Sequence, residues 1–454
     1  MLRLYFHEKG EGDTPHTYMV PLKIELGEQI FLHHLPTDTF KSAHLQVHFV
    51  VPIDNERAAS HRALIPAVLR RGCEKYPTQT HLSRHLEELY SADFNTSISR
   101  RGDMQIITFD VGMLQQDYIP EGLDILPSLC ETLQSILFHP LCDKNTGVFL
   151  EEYVESEKKN AIDAIRAQLD NKTYYARIRC IGHMCRNEKY GISEFGTVKE
   201  IEAITPVSLY EAYRSLLAEA KIMVYYTGNE SFDTVRDTVS SLFTNVRRIP
   251  CALFETEPNP IKLRVKKIRE SAKAKQGKLC LGFRVGTRIN DPLHSAMSLF
   301  LYVFGASPTS KLFANVREKL SLCYSCAARQ ELTKGILLVS AGIENTKYRR
   351  ALREIRRQFH FMKAGKITED ELLLSKNILA GQFRSVSDDP QLLANWYFVR
   401  DLSGISETPE EAAEAVMRVS LQELCEVAST VRLDTVYFLR GSLAKRKEKG
   451  SDEE

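Results

Sequence analysis

The sequence contains no uninterrupted apolar run near the roughly 18 residues that a membrane-spanning helix needs, so membrane insertion is not indicated. Its opening residues, MLRLYFHEKGEGDTPH, offer neither the apolar stretch nor the cleavage signature of a secretory leader. A cytoplasmic location is therefore the expectation. Excess charge is missing too: 60 Lys and Arg residues face 59 Asp and Glu residues. Nothing draws the whole molecule toward nucleic acid or anionic lipid, and neither is expected as a partner, although the total leaves local patches open. The ten cysteines show no regular framework, which suits reduced thiols rather than disulfides.

Two cysteine clusters could still carry chemistry. SLCYSCAA holds Cys323 and Cys326 as a CxxC, but the segment reads as a strand, where an odd separation sends the two thiols to opposite faces. RCIGHMC offers Cys180, His183 and Cys185, which would chelate only if the helix broke there and a further ligand arrived from elsewhere. Packing is the expectation for both clusters.

With 43% hydrophobic and 26% charged residues over 454 positions, the chain has material for two or more cores. The pattern repeats. In HLQVHFVVPI, residues Leu45, Val47, Phe49 and Val51 share one strand face; in KLCLGFRVG, Leu279, Leu281, Phe283 and Val285 do the same. Each strand precedes an apolar helix ending at a glycine, Gly72 or Gly305, and then a second helix, THLSRHLEELY or TSKLFANVREKL. Each half returns as an alternating strand, through Ile107, Phe109, Val111 and Met113 or Leu337, Val339, Ala341 and Ile343. Both close on a β-rich segment with a terminal glycine, IMVYYTGN and TVYFLRGS. The expectation is a duplicated α+β fold, with domains at 1–245 and 276–442. The proline-rich and then basic stretch 246–275 reads as an exposed linker, and the charged tail 443–454 as disordered. Thr368 with Glu371 and Ser420 with Glu423 mark helix starts as capping boxes.

The segment FGASPTSKLFANVREKLSLCYSCAA resembles the second-domain signature of the inverted-zincin (M16) peptidases, the family of pitrilysin, insulin-degrading enzyme and the mitochondrial processing peptidase. RRGCEKYPT, HLEELYSADFNTSISR and YGISEFGTVKEIEAIT extend the resemblance, which runs from about Gly27 to about Gly441. It implies two homologous domains, each an antiparallel sheet packed with helices, forming one clam-shell half. Active members carry HxxEH on the first apolar helix, with two histidines on zinc and the glutamate activating water. Placing Gly72 against the glycine that follows that motif puts Ala63, Pro66 and Ala67 at the histidine, glutamate and histidine positions. His61 is the only histidine on this helix, no acid lies between Arg57 and Cys73, and Pro66 removes a backbone donor. The region of the third ligand, ESEKKNAIDAI, has Ala164 near the expected place, with Glu157 and Asp163 as neighbours. This chain is thus expected to hold no zinc, catalytic base or cofactor of its own.

The signature's Arg and Tyr are present as Arg317 and Tyr324. The resemblance implies that they hold substrate backbone and polarise the scissile carbonyl, a task suited to the guanidinium fork. Otherwise Arg317 is a flank charge beside Val316 and Tyr324 packs. A separate candidate lies in HLSRHLEE, where His81, His85 and Glu88 share a helix flank beside the Leu82, Leu86 and Leu89 stripe. The resemblance therefore implies a non-catalytic subunit of a bacterial-type heterodimeric peptidase. A partner homologue would carry HxxEH and the zinc, and the pair would enclose an unfolded peptide. The alternatives are a non-proteolytic peptide-binding or structural protein, and a stand-alone zinc enzyme using His81, His85 and Glu88.

Overall fold

The structure is a computed structural model that describes residues 20–244, 247–253, 256 and 264–442. The tail 443–454 and most of the proline-rich part of the expected linker lie outside the described residues. In the first half the elements are β1 (Leu22–Gly27), β2 (Ile30–Pro36), β3 (Ser42–Pro52), α1 (Glu56–Leu69), α2 (Gln79–Glu88), β4 (Asp93–Arg101), β5 (Met104–Leu114), α3 (Ile125–Phe138), α4 (Glu151–Asp170), α5 (Lys172–Met184), α6 (Val198–Glu202), α7 (Pro206–Glu219), β6 (Lys221–Gly228) and α8 (Phe232–Leu242). The second half follows with β7 (Lys266–Lys273), β8 (Gly277–Arg284), α9 (His294–Leu301), β9 (Cys323–Glu331), β10 (Ile336–Ile343), α10 (Tyr348–Lys363), α11 (Glu369–Arg384), α12 (Pro390–Leu402), α13 (Pro409–Arg418), α14 (Leu421–Thr430) and β11 (Arg432–Ser442). Two π-helical segments, Tyr302–Ala306 and Leu312–Lys319, lie between α9 and β9. Among the described residues, no helix is long and apolar enough to cross a membrane.

Local chemistry sets the helix starts. The side chain of Asn55 accepts from the Ala58 amide at 2.9 Å, and Thr78 caps α2 through the His81 amide. Thr368 with Glu371 and Ser420 with Glu423 each exchange reciprocal hydrogen bonds as capping boxes.

The duplication is explicit in the sheets. One runs β1-β2-β6-β3-β5-β4, the other β7-β11-β8-β10-β9. Without β1 the orders match strand for strand, and the single parallel pair of each, β2 with β6 and β7 with β11, falls at the same place. The sheets are antiparallel apart from that pair. Strand β7 corrects the expected linker, whose residues 266–273 are an edge strand. Lys-Lys-Ile-Arg-Glu-Ser-Ala-Lys has only Ile268 and Ala272 as apolar residues on one face, too weak an alternation to announce a strand. Charged residues suit an edge that must not pair with other chains.

The two packing units do not follow the two halves of the sequence. The described residues of the first fall within 20–165, 192–256 and 380–414; those of the second fall within 166–191, 264–379 and 415–442. In the first unit, Leu45, Val47, Phe49 and Val51 of β3 join Ile107, Phe109, Val111 and Met113 of β5 in a core closed by α1, α3, α7 and α8. The other face of that sheet bears Met223, Tyr225, Val50 and Ile106, and is covered by Leu393, Ala394, Tyr397 and Phe398 of α12. In the second unit, Cys280, Leu338 and Tyr437 are covered by Ala176, Cys180, Ile181 and Met184 of α5. Each sheet thus takes a covering helix from the opposite half of the chain. Burying each large side chain of such a layer is worth about 1.5–3 kcal/mol.

A buried charge network fastens the end of α5 in the second unit. Arg284 reaches Glu188 at 2.9 Å and the Met184 carbonyl at 3.1 Å, and lies 3.4 Å from Asp434; Lys334 lies 3.6 Å from Glu188. All four charged side chains are less than a tenth exposed. Replacement Arg284→Met takes from Asp434 the guanidinium beside it and leaves Glu188 with Lys334 as its named cation, and we expect it to lower unfolding stability by about 3–5 kcal/mol, read from denaturant titration.

In the first unit, His33 and His48 lie buried under α12. His48 bonds Thr108 at 2.8 Å and stacks on Phe398 at 4.0 Å; His33 stacks on Tyr225 at 4.3 Å and faces Asp401 at 2.9 Å. Burial lowers both imidazoles, His48 to about 3, the Asp401 carboxylate only partly opposing the effect at His33. Below about pH 6.5 the unfolded chain binds protons that the folded chain refuses, so stability present above that pH falls as pH drops toward 3. His48 alone accounts for about 2 kcal/mol between pH 7 and 5. The variant His48→Leu should show a correspondingly flatter dependence in unfolding titrations across that range.

Candidate functional site

Helix α1 keeps its place through contacts that need no metal. The Ser60 hydroxyl accepts from the Thr197 amide at 3.1 Å, and the Gln105 amide donates to the Ala59 and Glu194 carbonyls at 3.0 and 2.7 Å. Past the helix end, a Cβ at Gly72 would lie 2.8 Å from the Pro77 carbonyl oxygen, so the turn through RGCEKYP requires glycine there. Ala63 and Ala67 are half-buried and Pro66 is buried inside the helix. Alanine and proline side chains present no lone pair to a cation. His61 is engaged otherwise: Nδ1 is 2.8 Å from the Arg57 carbonyl, Nε2 is 3.1 Å from Ser208 Oγ, and burial lowers its pKa.

On α4, Ala164 and Asp163 are exposed, whereas Glu157 is buried. Glu157 accepts from Asn160 at 3.1 Å and lies 3.5 Å from the Arg71 guanidinium. That carboxylate is matched to a cation of the chain itself.

The imidazoles of α2 are directed to separate partners. His81 Nδ1 is 2.8 Å from Thr78 Oγ1 at the cap, while His85 Nε2 is 2.9 Å from Thr132 Oγ1 and its ring stacks on Tyr76 at 4.5 Å. His183 Nε2 faces Glu270 at 3.4 Å, and the Cys180 thiol points to the Cys280 carbonyl. Among the described residues, no three His, Cys, Asp or Glu side chains are spaced to hold a metal ion.

Arg317 and Tyr324 do come together. They line a cleft of about 390 Å³ with Glu318, Ser321, Leu322, Cys323, Glu344 and Lys347, all in the second unit. Arg317 lies at the end of the π-helical segment, its guanidinium 4.5 Å from the centre of the Phe313 ring and 3.5 Å from Glu318. Tyr324 is 64% exposed, which rules out core packing for its ring. Ser321 turns the chain with φ of 46°, a left-handed conformation unusual for serine. The Leu322 amide donates to the Val316 carbonyl at 3.0 Å, and Lys347 ties the turn by donating to the Ser321 carbonyl at 3.2 Å and to Glu344 at 3.0 Å.

The strand geometry corrects the expectation for the CxxC. In the β9–β10 ladder Gly342 pairs with Ser325 but Ile343 pairs with Cys323, so Tyr324 is an extra residue in a bulge. The bulge resets the alternation: Cys323 and Cys326 are both buried, and Tyr324 is aimed outward. The two thiols share a hydrogen bond that holds Cys323 below the usual thiol range and pushes Cys326 above it. Ser321, Glu344 and Lys347 also line the cleft and were not marked in the sequence, because neither bulge nor left-handed serine has a residue signature in SLCYS, and Glu344 and Lys347 are brought there by the turn after β10.

The profile of the Peptidase M16 inactive domain matches residues 203–379. The protein described as probable inactive metalloprotease YmfF, from Bacillus subtilis, is 28% identical over 94% of this chain and 99% of its own. A solved protein from Enterococcus faecalis V583 superposes with a TM-score of 0.86 at 26% identity, over 93% of this chain and 99% of that one. The periplasmic protease PqqL from Escherichia coli shares the fold at 14% identity, TM-score 0.67; 96% of this chain covers 47% of PqqL.

The glycine of the signature sets how closely β9 approaches. A Cβ at Gly305 would lie 2.7 Å from Leu312 and 2.8 Å from Ala328. We expect Gly305→Ala to cost about 1–3 kcal/mol of stability, measured by thermal unfolding.

Proposed function

The chain belongs to the M16 peptidase family yet has no part of HxxEH on α1, and we propose that it is the non-catalytic subunit of a two-chain M16 peptidase. The observation that carries this reading is the cleft that brings Arg317 and the exposed Tyr324 together in a chain whose α1 offers Ala63, Pro66 and Ala67 instead of ligands and base. The partner would be an M16 homologue bearing HxxEH and the zinc. Arg317 and Tyr324 would hold the backbone of an unfolded peptide, because a guanidinium fork and a phenol both donate hydrogen bonds to carbonyl oxygens. The ten free cysteines suit the cytoplasm.

The test is metal content and peptidase activity on an unfolded peptide, for the purified chain alone and with a co-purifying HxxEH homologue. We expect a metal-free, inert chain that the mixture requires, and a fall in kcat/KM of about a hundredfold for Arg317→Ala at unchanged thermal stability. Stoichiometric zinc with hydrolysis by the chain alone would overturn the reading. Cleavage by the homologue at the same rate without this chain would do so as well.

A further inference from the structure

Helix α10, Tyr-Arg-Arg-Ala-Leu-Arg-Glu-Ile-Arg-Arg-Gln-Phe-His-Phe-Met-Lys, concentrates six cations against one acid in a chain of net charge +1. Its inner face is fixed by Ala351, Ile355, Gln358 and Met362. The acid, Glu354, is buried there and occupied by Gln358 at 2.6 Å and Arg357 at 2.8 Å. The exposed positions are Arg349, Arg350, Arg353, Arg356, Arg357 and His360. Arg349, Arg350, Arg353 and Arg356 make no hydrogen bond or ion pair among the described residues. Like charges at these spacings repel, so the helix tolerates the array at a cost in stability that its own packing does not relieve.

The neighbouring edge strand enlarges the array. β7 exposes Lys267, Arg269 and Lys273 on the face where Arg269 lies 5.0 Å over the Tyr348 ring, at the start of α10. Lys347, the residue before α10, lines the Arg317–Tyr324 cleft. The cations therefore form one ridge, within one packing unit, that reaches the cleft.

We infer that this ridge docks an extended, acidic polypeptide segment. Arg349, Arg353, Arg356 and His360 follow one line of the helix, about 4.5–6 Å apart along its axis. An extended chain presents same-face side chains about 6.6 Å apart, near enough for alternate carboxylates to meet successive guanidinium groups in forked hydrogen bonds. Single-stranded nucleic acid fits less well, because it needs bare rings to stack on. Here Tyr348 is covered by Arg269 and packed on Phe438, and Phe361 lies beneath Arg357 and Lys366. A membrane surface fits less well, because the exposed positions of α10 include no apolar residue to enter the bilayer. The docking is independent of the role proposed above for Arg317 and Tyr324.

The test is fluorescence anisotropy of a labelled peptide of alternating glutamate and serine, titrated with the full chain, with the glutamine–serine peptide as control. We expect salt-sensitive binding of the acidic peptide alone, weakened about tenfold or more in R349E/R353E/R356E. The neutral variant R353Q/R356Q, chosen to leave the fold intact, should weaken it in the same direction. The inference is overturned if the acidic peptide binds no better than its control, or if the ridge variants bind as the parent does. Tighter binding to a single-stranded oligonucleotide of equal charge, or to phosphatidylserine vesicles, overturns it too.

Discussion

A β-sheet has two faces, and a sheet of five or six strands with apolar residues on both cannot leave either in water. In this protein each sequence half folds helices onto only one face of its own sheet. The remaining faces, with Tyr225 and Met223 on one and Cys280 and Tyr437 on the other, are covered by α12 and α5, which arrive from the opposite half. The exchange makes the two halves interdependent for burial although they are homologous in topology. It also explains why polar residues are tolerated on the outer face of the first sheet. His33 and His48 meet aromatic rings and hydrogen-bond partners supplied by β6, β5 and α12 rather than open solvent.

Helix α1 is likewise held by burial and hydrogen bonds that involve no metal. HxxEH adds ligands to a helix but is not what seats it. Here α1 is seated by Ser60, Ala59 and His61 through hydrogen bonds to Thr197, Gln105 and Ser208, and by Leu64, Ile65, Val68 and Leu69 in the core. Proline at 66 removes one intrahelical donor, and the helix continues through it on the strength of that packing. Glu157, a neighbour of the expected third-ligand position, is matched to Arg71.

The Arg317–Tyr324 cleft owes its form to three departures from regular structure in quick succession: the π-helical run Leu312–Lys319, the left-handed Ser321 and the bulge at Tyr324. Each is costly in isolation, and such features cluster where a side chain must be presented rather than packed. Regular alternation across SLCYSC would have buried one thiol and exposed the other. The bulge instead buries both and turns out the phenol between them.

The amino-acid sequence by itself determined the paired α+β halves, because periodic apolar residues such as those of β3 and β8 declare which face is buried without reference to any distant residue. The missing HxxEH was equally legible, since no folding of Ala63, Pro66 and Ala67 can create a ligand. Tertiary structure alone decided the rest. Strand β7 exists because β11 lends it a ladder, not because its lysine-rich sequence favours one. The destinations of α5 and α12 depend on which sheet face lay uncovered, a long-range property that local periodicity does not encode. The placement of Tyr324, Glu344 and Lys347 around Arg317 rests on backbone geometry, where a single extra residue in a ladder reverses the side to which every following side chain points.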